Sequence, residues 1–98
     1  MSKRPLAATP AEPGDRVRLT AEFERTQLLS ILFGEFDRNL VSIENRLGVY
    51  ISARGNRVQI EGEAEAAARA RDVLTDLYNR IEQGQEVDAG MVDGVIAM

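Results

Sequence analysis

The chain contains no cysteine, no histidine and no tryptophan among its 98 residues. Without cysteine there is neither a disulfide framework nor a thiolate metal site. Without histidine, the commonest general base is missing, together with the triads and zinc sites that depend on it. Lysine is nearly absent too: Lys3 is the single one, and the other cations are arginine. A phosphate-cradling Gly-Lys-Ser/Thr loop is therefore impossible within this sequence. No apolar run approaches the length of a bilayer span, and Lys3 and Arg4 have no apolar stretch behind them, so neither a membrane segment nor a secretory signal is expected. A cytoplasmic location follows by default. The net charge of −4 excludes a general polyanion or membrane-surface binder, so any phosphate contact has to be local.

The composition is 44% hydrophobic with 5% aromatics, enough for one small aliphatic core and too little chain for two. Pro5, Pro10 and Pro13 are the only prolines, and residues 1–14 are expected to form a disordered tail ahead of a single domain over 15–98. From Arg16, the apolar Val17, Leu19, Ala21 and Phe23 alternate with polar residues, the period of a half-buried strand. A short helix over about 26–32 turns Leu28, Leu29, Ile31 and Leu32 inward and stops at Gly34. Asp37 is placed to cap a second helix running to about Leu47, with Gly48 at the left-handed position beyond its end. Two short strands follow, through Val49, Ile51 and Ala53 and through Val58 and Ile60, joined at Arg54-Gly55-Asn56, a tight-turn signal. A long helix opens near Glu63 with Ala67, Ala70, Leu74, Leu77 and Ile81 on one face, and a last helix starts near Asp88. The predicted fold class is α+β: two layers, with a three-stranded sheet and the helices on one face.

Residues 32–62, LFGEFDRNLVSIENRLGVYISARGNRVQIEG, place a glycine loop between two helices and then a glycine-led hairpin before a long helix. This plan resembles the KH module, a β-α-α-β-β-α unit that binds single-stranded RNA or DNA through a GXXG loop. The eukaryotic arrangement is the better match, because a strand precedes the helix pair. The LFG, DRNL, LGV and ARGN segments, in this order and spacing, resemble the N-terminal region of PhoH-like proteins. That resemblance implies a KH-like domain joined in a parent protein to a C-terminal P-loop ATPase, absent from this sequence, with a link to RNA metabolism and phosphate starvation. The implied partners are single-stranded RNA, bound weakly, the ATPase domain, and further subunits of an oligomer. No cofactor and no catalysis are expected of this chain.

The candidate binding residues follow from that pattern. Gly34, Glu35, Phe36 and Asp37 stand where the GXXG loop is expected, with the first glycine kept and the second replaced by Asp37. If Asp37 caps the second helix, its carboxylate occupies the amides a phosphate would use. Arg38 can offset the two carboxylates by reaching a phosphate bidentately, and Asn39 completes the segment. Phe36, if exposed, can stack on a base; burial or half-burial, anchoring the loop, is the expectation. The hairpin residues Arg54, Gly55, Asn56 and Arg57 form a second candidate, as a phosphate clamp or as a type I′ turn with solvated arginines. Met91, Val95 and Ile96 are expected to pack on the ATPase domain. The acidic pairs Glu63/Glu65, Asp72/Asp76 and Glu82/Glu86 are read as solvated faces. A protein-interaction or oligomerisation domain on the same scaffold is the alternative function.

Overall fold

The computed structural model describes residues 15–98; the proline-bearing segment 1–14, read above as a tail, lies outside the described residues. The alternation that begins at Arg16 becomes β1 (Arg16–Glu22). A 3₁₀ turn (Thr26–Leu28) leads into α1 (Leu29–Phe33), a second turn (Glu35–Asp37) into α2 (Arg38–Leu47), and the hairpin is β2 (Tyr50–Arg54) with β3 (Arg57–Glu63). The long helix is α3 (Ala64–Glu82), and α4 spans Ala89–Ala97. The strands form one antiparallel sheet in the order β1-β3-β2. This is a two-layer α+β fold, as the periodicities indicate.

Sheet register fixes which side chains enter the core. Ala21, Ile51, Val58 and Ile60 are buried beneath the helices, whereas Arg18, Thr20, Tyr50, Ser52, Arg54 and Gln59 stand on the other, open face. Across α3, Ala67, Ala70, Val73, Leu74, Leu77, Tyr78 and Ile81 are buried, and the helix packs on β1, β3, α1, α2 and α4. The small Gly62 lets β3 pass under Val49: a Cβ built at Gly62 would lie 2.8 Å from Val49 Cγ1. At the far end of β1 the Phe23 and Tyr78 rings meet with centroids 4.7 Å apart, and the Tyr78 hydroxyl accepts from the Arg25 N–H at 2.9 Å.

Four sequence expectations are corrected here. Val95 and Ile96, assigned to a missing domain, are buried in this chain's own core beside Val92, with Met91 half-buried. Arg69 Nη2 holds the end of α4 by donating to the carbonyls of Val95 at 3.1 Å and Ile96 at 2.6 Å. The hairpin turn is not type I′, because only Gly55 has positive φ, at +60°, and Asn56 does not; that pattern is type II′. Of the four apolar residues expected inward over 28–32, only Leu29 and Leu32 are buried; Leu28, in the preceding 3₁₀ turn, is half-buried and Ile31 is exposed, since one short helical segment cannot turn four neighbouring apolar side chains inward. Of the acidic pairs, Asp76 is not merely solvated: it accepts from Arg80 Nε one turn on at 2.7 Å.

Candidate nucleic-acid interface

The loop between α1 and α2 is built by an unusual run of backbone. Gly34 takes φ +81°, and then Phe36 and Asp37 take φ +55° and +57°, the only non-glycine residues with positive φ among those described. The Asp37 N–H donates to the Gly34 carbonyl at 3.0 Å and the Arg38 N–H to that of Glu35, so the chain winds left-handed before α2 begins. Each left-handed non-glycine residue costs about 1–2 kcal/mol. Strain of this kind persists only where surrounding structure imposes it.

Asn39 supplies that imposition. It is buried, and its Nδ2 donates to the Leu32 carbonyl at 3.0 Å, satisfying an orphan acceptor at the end of α1. A Cβ at Gly34 would fall 2.8 Å from this same Nδ2, so the glycine is required by proximity as well as by its dihedral. The sequence reading placed Asn39 among the binding residues. The structure instead uses it to clamp the two helices, and burial removes its amide from any ligand.

Phe36 reverses the burial expectation: it is 92% exposed. With so much of its ring in solvent, it is not part of the hydrophobic core. Asp37 also departs from its expected role. It occupies the N-cap position of α2, but its side chain accepts no hydrogen bond from the helix, because φ +57° turns the carboxylate away. The first-turn amides of α2 are thus not covered by a side chain. Arg38, beside them, is exposed and makes no ion pair among the described residues. Ile31 and Val41, each 46% exposed, place two further large apolar side chains on the same α1–loop–α2 hairpin. Val41 was not singled out from the sequence, and Ile31 was expected to face inward; the crowding of apolar residues in α1 and the position of Val41 off the Leu40–Ile43 face were the available signals.

The second candidate segment is not joined to the first. The 35–37 turn touches α1 and α2 but neither β2 nor β3. Arg54 and Arg57 are direct ladder partners, and with Ser52 and Gln59 they line a pocket on the open sheet face, away from the helical layer. Arg57 Nε donates to Glu22 at 2.8 Å, leaving Arg54 as the unpaired cation of the turn. Gly55 provides the turn dihedral, and Asn56 offers its backbone carbonyl to the Phe23 N–H at 3.0 Å. A clamp by both arginines is therefore not formed. On the edge of β2 nearest α2, Glu44 Oε2 takes the Ile51 N–H at 2.7 Å. In this hairpin register the Ala53 N–H and carbonyl point to the same unpaired edge.

Among the described residues, no group of three or more His, Cys, Asp or Glu is placed to hold a metal ion, and no helix is long and apolar enough to cross a membrane.

No family model matches the chain. A crystal structure of a protein of unknown function from Aeropyrum pernix is similar, with a TM-score of 0.68 and 17% identity over 85% of this chain. The match spans 46% of that protein, so this chain corresponds to about half of its length. At this identity the likeness concerns the fold alone.

Proposed function

We propose that the domain is a KH-like module of a PhoH-like ATPase that binds single-stranded nucleic acid, RNA in particular, in the cytoplasm. Phe36 carries this reading. An aromatic ring 92% exposed on a strained left-handed loop is stable only at a cost, and base stacking is a use for it that no internal contact supplies. Further support comes from the loop backbone: Gly34 is kept at φ +81°, and Asp37, in the place of the second glycine, takes φ +57°, a conformation that favours glycine. The exposed Arg38 guanidinium gives a phosphate its donors, while Ile31 and Val41 give the base or ribose an apolar flank. Glu35 and Asp37 oppose the phosphate charge, which accounts for weak rather than tight binding.

The test is an NMR titration of the labelled chain with short single-stranded RNA at low and at physiological salt. Shifts at 31–38 and 41, weakening with salt and lost in Phe36→Ala, support the reading. An unchanged spectrum at both salts overturns it. The net charge of −4 favours a second reading, a protein-interaction domain in which Phe36 is the anchor, and a protein contact insensitive to RNA would establish that one instead.

A further inference from the structure

The edge of the sheet opposite β2 is β1, and its sequence has a symmetry of charge. The residues whose side chains stand on the open face read Arg16, Arg18, Thr20, Glu22, with Glu24 just beyond the strand. Two cations lead, two anions trail, and Thr20 is central. Phe23 donates to Asn56 across the ladder, which continues the pairing of Ala21 with Val58 and Leu19 with Ile60. Backbone groups of the odd-numbered residues therefore point to β3, and those of Arg18, Thr20 and Glu22 point outward along the unpaired edge.

We propose that β1 is a self-pairing edge, at which two copies of this chain join antiparallel about Thr20 to make one continuous sheet. A two-fold axis through Thr20 sets Arg18 opposite Glu22 of the second copy, Glu22 opposite its Arg18, Thr20 opposite its Thr20, and Arg16 toward its Glu24. Existing ion pairs extend this pattern. Arg18 Nε already donates to Glu61 at 2.6 Å and Arg57 Nε to Glu22 at 2.8 Å. The joined face thus reads Glu61, Arg18, Glu22, Arg57 across the seam, with signs alternating without a break. Parallel stacking of the same strand sets arginine on arginine and glutamate on glutamate, which is repulsive. The charges that guard this edge against open-ended stacking thereby select a closed, isologous pair.

Burial points the same way. Val17 and Leu19 face the helical layer but remain half-buried, whereas Ile60, the ladder partner of Leu19, is fully buried. The second copy sets its Ala21 beside Leu19 and its Phe23 beside Val17, completing that layer. Between β1 and α3 lies an open groove of about 390 Å³, lined by Ala21, Glu22, Phe23, Arg71 and Thr75 among others. The surface is separate from the α1–loop–α2 hairpin, so the proposal stands whether or not that hairpin binds RNA.

Sedimentation from micromolar to millimolar concentration, combined with amide exchange on the native chain, tests the pairing. A monomer–dimer equilibrium weakened by salt is expected, with the amides of Arg18, Thr20 and Glu22 gaining protection as the dimer forms. A chain monomeric throughout overturns the proposal, as does a dimer in which those amides exchange freely. Two charge variants sharpen the result: Arg16→Glu with Arg18→Glu, and Glu22→Arg with Glu24→Arg. Each alone is expected to be monomeric, and their equimolar mixture dimeric; variants that dimerise like the native chain, or a mixture that stays monomeric, refute it. Circular dichroism checks their folding, and if either is unfolded the exchange protection in the native chain decides.

Discussion

Replacing Phe36 by glycine should make the domain more stable and a poorer ligand-binder at once. At φ +55° a phenylalanine carries about 1–2 kcal/mol of left-handed strain, all of which glycine removes. Glycine gives back roughly 0.5–1 kcal/mol through the added freedom of the unfolded chain. The side chain is 92% exposed, so truncation sacrifices almost no apolar burial. The net expectation is a stabilisation of about 0.5–1 kcal/mol, which in a domain of this size raises Tm by roughly 2–8 °C. Phe36→Ala is the control: it keeps the strain and should stay within about 0.5 kcal/mol of the native chain. Thermal and urea unfolding followed by circular dichroism measure both. For RNA, either variant loses the stacking ring, worth about 1–3 kcal/mol, so affinity falls roughly 5- to 150-fold in the titration described above. A destabilised glycine variant, or an alanine variant stabilised to the same degree, would falsify the strain argument, since the ring would then be held by contacts rather than against a cost.

Three further substitutions probe what holds the site in place. Asn39→Ala leaves the Leu32 carbonyl without its buried partner, and urea unfolding should show a loss of about 1–3 kcal/mol. Loop amides at 34–37 should exchange faster in that variant even at temperatures where the fold persists. Gly62→Ala drives a Cβ to within 2.8 Å of Val49 Cγ1 and should cost about 1–3 kcal/mol; adding Val49→Ala should recover part of that loss, and a strictly additive double-mutant cycle would contradict the contact. Arg69→Met removes the donors to Val95 and Ile96, so α4 amides should lose protection ahead of the rest of the chain, whereas uniform loss would mean that α4 is not separately anchored.

Much of the fold was legible because its signals are local. The alternation at 17–23, the glycine after Leu47, the glycine in the hairpin and the three-and-four spacing along α3 each report a periodicity or a dihedral that neighbouring residues impose. The same locality explains the wrong expectations at the site. Asp37 has the chemistry of a helix cap, yet its backbone is left-handed and its carboxylate accepts no hydrogen bond from α2, in a loop closed by the bond from Asn39 to the Leu32 carbonyl. Phe36 has the hydrophobicity of a core residue, and only the assembled surface shows that it stays outside the core.

The sequence by itself determined the order of elements, the α+β class, the turn positions and the charge symmetry of β1, since each is written in residues near one another along the chain. The tertiary structure alone decided which of these residues face a ligand. It set Phe36 outward and Asn39 inward, gave Arg57 to Glu22, and drew Val95 and Ile96 into the core. Those outcomes depend on contacts between segments tens of residues apart, and exposure is a property of the assembled surface rather than of any window of sequence.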